Sequence, residues 1–216
     1  MRRIIILYIL IFSLVVSLRS FSQVSAMAGI YSGYGMTHYN MKGYNPSGFM
    51  PLGMRAAIGD FDIQVGADIF TQIKNPTFAL NDSSGKEIYT ETIKNNYVGA
   101  MLRIHMGDEA YEVAAVLRGG IGYYFSQEIV NYTDYYLQLN PNARSGTYKF
   151  NRSPGFYGAF GFSIPVYKNF HANIEGQFNY NPRNINGHLY FYTSWCVEAG
   201  VSYNLFHLFK RKNKNG

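Results

Sequence analysis

The stretch Trp195-Cys196-Val197-Glu198-Ala199-Gly200-Val201-Ser202-Tyr203-Asn204-Leu205-Phe206 decides the fold. Its odd positions carry Trp195, Val197, Ala199, Val201, Tyr203 and Leu205; its even positions carry Cys196, Glu198, Gly200, Ser202 and Asn204. Successive side chains on a strand point to opposite faces, so this period of two predicts a β-strand with one greasy and one small or polar face. It is longer than most globular strands and long enough to cross a bilayer at a tilt.

Seven more segments upstream have the same alternation: Ser25–Tyr39, Leu52–Gly59, Phe61–Gln72, Asn96–His105, Glu112–Ser126, Gly155–Ile164 and Phe170–Tyr180. The seventh is the cleanest, with Phe170, Ala172, Ile174, Phe178 and Tyr180 set against His171, Asn173, Glu175, Gln177 and Asn179. Connections alternate in length. Long polar ones span 40–51, 73–95, 127–154 and 181–189; short ones are Asp60, Met106 to Tyr111 and Pro165 to Asn169. That rhythm predicts an all-β fold, an eight-stranded up-and-down antiparallel transmembrane barrel with short inner turns and long outer loops.

A soluble barrel of the lipocalin kind would show the same alternation with its greasy face turned inward. Two patterns favour lipid outside. None of the predicted strands contains a lysine, although a water-facing barrel wall should be dotted with them. The polar face is mostly Gly, Ala and Ser, which suits the narrow interior of eight strands. Its few ionic groups, Arg55, Arg103 and Arg118 with Asp68, Glu112, Glu175 and Glu198, nearly cancel, as an enclosed set must. Arg118 is expected to pair with Glu175 or Glu198, while Tyr97, Met101, Tyr124 and Tyr157 fill neighbouring layers and close the lumen. Tyr and Phe cluster at strand ends, for example Tyr123, Tyr124 and Phe125 at one rim and Phe61, Phe170 and Tyr203 at the other. These predict the two aromatic girdles of a membrane barrel.

Only 15% of the residues are charged and 17% are aromatic, a composition that excludes disorder and departs from an ordinary soluble domain. The net charge of +6 does not imply nucleic-acid binding. Arg2, Arg3, Arg19, Lys210, Arg211, Lys212 and Lys214 lie near the two termini, and without these seven the +6 becomes −1. The single cysteine, Cys196, excludes an internal disulfide. Met1-Arg2-Arg3 followed by the apolar run Ile4–Leu18 predicts a signal peptide over 1–22, with cleavage between Ser22 and Gln23 or else after Ala26. The barrel then spans 23–206, and 207–216 is a basic tail suited to solvent, acidic lipid or peptidoglycan.

The terminal strand also resembles the closing signal of bacterial outer-membrane barrels, with Glu198, Gly200, Tyr203 and Leu205 in the signal positions. The chain departs from that pattern by running on to Gly216. Over 23–206, strand count, loop rhythm and facing resemble the small OmpA/OmpX-like outer-membrane barrels of Gram-negative bacteria. The resemblance implies residence in the outer membrane among its lipid and lipopolysaccharide, and insertion by the barrel-assembly machinery. It implies no single activity, because the fold hosts anchors, adhesins, narrow channels and lipid-modifying enzymes.

Catalytic signals are weak. His105, His171 and His207 fall near the inner rim on three strands or strand ends, where they could converge, but rim histidines are common and no metal site is expected. A lipid A-modifying enzyme would need a nucleophile, a base and an acid at the outer leaflet, where only His38 and His188 lie, with no matching Ser and carboxylate. No cofactor motif occurs. The expected role is therefore structural or surface-interacting, with a narrow porin-like channel as the alternative. The Tyr- and Asn-rich loop around Tyr132–Tyr136 and Asn140–Ser145 offers contact chemistry for an extracellular partner.

Overall fold

The computed structural model describes residues 24–40, 45–60, 62–107, 112–149, 152–185 and 188–205. The predicted leader and tail lie outside these, as do Phe61 and Phe206. The elements are β1 (Ser25–Tyr39), β2 (Ser47–Gly59), β3 (Ile63–Lys74), β4 (Thr77–Asn81), β5 (Glu87–Met106), β6 (Ala114–Tyr132), helix α1 (Asp134–Leu139), β7 (Gly146–Lys149), β8 (Ser153–Tyr167), β9 (Phe170–Ile185) and β10 (His188–Leu205). Eight of the strands close a circuit of antiparallel pairs in the order β1-β2-β3-β5-β6-β8-β9-β10, and β10 returns to β1. Closure pairs every strand on both sides and leaves the cylinder no open edge, the condition for a sheet to stand in hydrocarbon.

Side-chain parity settles which face meets lipid. Ile30 is 65% exposed and Val197 54%, and most of the other large apolar side chains of the same parity are exposed too. Arg118 and Glu198 are each 1% exposed, inside the cylinder. Greasy residues outside and polar residues inside make this a membrane-spanning barrel. Among the described residues no helix is long and apolar enough to cross a membrane; the strands do the crossing.

Several strands run further outward than the alternation predicts. β5 begins at Glu87 rather than Asn96, and β6 continues to Tyr132 rather than ending at Ser126. Here backbone pairing and polar contacts sustain the strand where no lipid selects for greasy side chains; Ser126 Oγ donates to Asn95 Oδ1 at 2.5 Å, for example. β4 pairs with β5 and β7 with β6, so β4-β5-β6-β7 form a four-stranded sheet projecting beyond the barrel. The expectation that every lysine lies outside strands is thereby corrected: Lys74, Lys94 and Lys149 sit in the strand ends or in this sheet. The 127–154 connection is likewise not all loop. It contains α1, whose N-cap Thr133 accepts from the Tyr136 amide.

Candidate functional site

Arg118, on β6, is the centre of the lumen. Its Nη1 donates to Asp68 Oδ2 of β3 at 2.6 Å and its Nε to Glu175 Oε2 of β9 at 2.8 Å. Its Nη2 donates to Gln177 Oε1 at 2.9 Å and to Glu198 Oε2 of β10 at 3.2 Å. Arg55, on β2, reaches the same two glutamates, from Nη1 to Glu175 Oε1 at 2.6 Å and from Nη2 to Glu198 Oε2 at 2.9 Å. The fork of a guanidinium makes this sharing possible, since each nitrogen can face a different carboxylate.

The register explains why the network spans the lumen. Glu175 and Glu198 are directly opposed across β9 and β10, and Arg103 and Arg118 across β5 and β6. Like charges in such positions repel. Two guanidiniums, Arg55 from two strands beyond β10 and Arg118 from two strands beyond β9, bridge the carboxylates. Arg103 points elsewhere, donating to Gln64 Oε1 at 3.1 Å and contacting His105 Nε2.

Aromatic side chains pack against the ionic layer. The Tyr31 hydroxyl of β1 donates to Asp68 Oδ1 at 2.8 Å, and its ring lies 3.8 Å from the Arg55 guanidinium carbon. The Tyr157 ring of β8 lies 4.9 Å from that of Arg118. Tyr97 of β5 stacks on Phe70 at 5.2 Å and leans on Tyr124 at 4.8 Å between centroids. Thus all eight barrel strands send a side chain into one cluster of ions and rings. Glycines make the room: a Cβ on Gly53 would collide with the Tyr31 ring, and one on Gly120 with that of Tyr157.

Of the seven ionic residues expected in the lumen, Arg55, Asp68, Arg118, Glu175 and Glu198 form this cluster, and Arg103 is lumenal with the separate partners given above. Glu112 is a correction. It lies exposed in the turn before β6, because regular pairing starts only at Ala114, and parity cannot carry a residue inward from off the strand. In the terminal-strand signal, Glu198 is lumenal, and Tyr203 and Leu205 are 42% and 39% exposed on the lipid side. His105 and His171 are buried in the lumen, and Ser163 Oγ lies 3.4 Å from His171 Nδ1. His207 and the His188 side chain lie outside the described residues. Alternation places Gln177 on the polar face but gives it no partner, and it singles out neither Tyr31 nor Phe70. Tyr31 stands on the parity of Gly29 and Gly33, a large residue on an otherwise small face, and that was the available signal.

At the outer tip, the Asp82 carboxylate closes the β4–β5 turn. Its Oδ1 accepts from the Ser84 amide at 2.8 Å, the Ser84 hydroxyl at 2.6 Å and the Lys86 amide at 2.9 Å. Gly85 takes φ +83 within it. The Ser84 hydroxyl first, then the Lys86 amide, hold Asp82 below its ordinary pKa. Nearby, Tyr132 stacks on Tyr136 at 5.0 Å, and Tyr89 meets Tyr132 edge-on at 5.6 Å.

An apolar belt around a closed eight-stranded cylinder with a polar interior defines a small outer-membrane β-barrel. Among solved structures, the chain is similar to Neisserial surface protein A, at 13% identity and a TM-score of 0.54, covering 82% of this chain and 96% of that one. It is also similar to Ail, the attachment invasion locus protein of Yersinia pestis, solved with the heparin analogue sucrose octasulfate, at 15% identity and a TM-score of 0.50, covering 82% and 99%. These likenesses concern the fold. No family model matches the chain, and no curated protein matches it in sequence.

Proposed function

We propose that the protein is a structural and surface-interacting barrel of the outer membrane whose lumen is plugged by its own side chains. The observation that carries this reading is Arg118, held by Asp68, Glu175 and Glu198 from three other strands while Arg55 bridges two of those acids from a fourth. An open pore would need these groups to be solvated rather than spent on one another across the lumen. The ring cluster of Tyr31, Phe70, Tyr97, Tyr124 and Tyr157 supports the same reading by filling the adjacent layer. Insertion would use the barrel-assembly machinery through the signal formed by Glu198, Gly200, Tyr203 and Leu205. The projecting sheet would supply the partner-facing surface.

Planar-bilayer recording tests the plug. The wild-type protein is expected to give little steady conductance, and Arg118→Ser should leak. A large, stable wild-type conductance would instead make the protein a narrow porin-like channel.

A further inference from the structure

The inner rim of the barrel is sorted by charge. Among the described residues, its turns carry Asp60 and Asp62 between β2 and β3 and Glu112 before β6, against Lys168 as a base between β8 and β9. Strand order puts both acidic turns on one side of the β1–β10 seam and Lys168 on the other. β10 runs inward, and Leu205 at its end pairs with Ala26 at the start of β1, so the chain that follows departs from this rim. Residues 206–216 contain Lys210, Arg211, Lys212 and Lys214 and no acid.

A second feature of the same rim points to a ligand. Asn204 has the inward parity of Ser202 and Glu198 and is 2% exposed. Its backbone is fixed, because its amide N–H donates to Asn169 O at 2.8 Å. Its side chain is not satisfied: neither Nδ2 nor Oδ1 has a hydrogen-bond partner among the described residues. Gln64 and Asn173, near the same depth, are paired instead. Gln64 Nε2 donates to Ser25 Oγ at 2.8 Å, and Asn173 Nδ2 to Ser202 Oγ at 3.0 Å. Leaving a buried amide with both ends unpaired is costly, and its donor and acceptor together match one peptide group of a passing chain.

Reach and spacing suit residues 207–216 to both features. With neighbouring strands ~4.8 Å apart, the β2–β3 turn lies roughly 12 Å around the rim from β10, and the β5–β6 turn roughly 22 Å. An extended chain gains ~3.4 Å per residue, so Lys210 can reach about 17 Å from Leu205, Lys212 about 24 Å and Lys214 about 31 Å.

We propose that residues 207–216 dock back on the inner rim of their own barrel as a strap. Lys210 lies by Asp60 and Asp62, Lys212 and Lys214 run on toward Glu112, and a peptide group of the segment pairs with the Asn204 side chain. Charge complementarity selects both the occupant and its direction, because Lys168 repels the segment on the other side of the seam. The covalent tether adds a high effective concentration at the rim. The strap forms whether or not the ionic layer above it closes the lumen.

To test this, the full chain is refolded in dodecyl maltoside, a neutral detergent, and trypsin cleavage between Lys210 and Lys214 is timed by mass spectrometry. Each rate is divided by that of the matching 206–216 peptide, and gel migration of the unboiled protein reports folding separately. Wild type should be cleaved about tenfold more slowly than its peptide, as expected of a few exposed ion pairs acting together. Added salt should remove most of that protection. D60N/D62N/E112Q at the rim and K210Q/K212Q/K214Q in the segment should each fold and lose it. Asn204→Leu should fold and lose part of it, a few-fold. A folded wild type without protection, or either folded charge variant with full protection, overturns the strap. Protection that arises only when phosphatidylglycerol is added to the micelles overturns it as well, and assigns the segment to anionic lipid.

Discussion

Arg118 is fully buried, yet it is compensated by three carboxylates. Breaking a buried ion pair from one side leaves uncompensated charge and costs about 3–5 kcal/mol. Arg118→Ser leaves Arg55 alone against Asp68, Glu175 and Glu198. It should therefore lower the unfolding free energy of the barrel in lipid, read from a urea titration, by an amount of that order, and the urea midpoint with it. Arg118→Lys should fall between, because an ammonium keeps the charge but cannot fork to Asp68 on one side and Glu175 on the other. Equal midpoints for wild type and Arg118→Ser would mean that water already solvates the layer. Asp82 obeys the same electrostatics in an exposed setting. Its folded pKa is depressed below the ordinary 3.8, so its contribution to the turn is fully present above that value and is lost as pH falls through the folded pKa. Hydrogen exchange at the Ser84 and Lys86 amides should accordingly be protected at neutral pH and should quicken as pH drops below about 3.8, after correction for intrinsic rates. Asp82→Ala should abolish that pH dependence locally.

At the scale of strands, alternation means different things at different depths. Val197 and Asn131 both point outward from the wall, but Val197 lies within the apolar belt and Asn131 in the projecting sheet. Val197→Arg should cost roughly 2–4 kcal/mol if it lies at the midplane, less toward an interface, and impair insertion. Asn131→Arg should fold normally. If both variants inserted equally well into lipid vesicles, the assignment of the belt would be wrong. This depth dependence also explains what the sequence could reveal. β1 is legible from end to end, because lipid on one side and a polar lumen on the other impose opposite chemistries on successive residues. The outer half of β5 is not, since Thr90, Thr92 and Asn96 alternate with Glu91, Ile93 and Asn95, and neither set looks like a lipid face. Within the lumen, parity identified Arg118 as inward. It could not anticipate that Arg118 holds Asp68 as well as both glutamates, because pairing across a cylinder depends on register and stagger, not on the strand's own pattern. Glu112 is misplaced for a related reason: parity can be read back in sequence to positions before the strand that gives it meaning begins.

The whole cylinder binds these scales together. Its two terminal strands, β1 and β10, pair along nearly their full lengths, from Ala26 with Leu205 to Tyr39 with Tyr192. In hydrocarbon, separating any such pair exposes backbone groups that water cannot satisfy, each at several kcal/mol. Partial opening is therefore disfavoured, and the Arg55–Arg118 network resists it further, because its members come from β2, β3, β6, β9 and β10. The barrel should then survive sodium dodecyl sulfate at room temperature as one compact, fast-migrating band and convert on boiling to one slower band, with no persistent intermediate. Deleting Trp195–Leu205 removes most of the β1–β10 seam and the Glu198 carboxylate together. That truncation should give the slow band alone, even unboiled, while the chain fails to enter preformed vesicles. Recovery of the full-length protein as a soluble species without detergent, or a fast band that persists in the truncated chain, would show that closure through β10 is not what holds the molecule in the membrane.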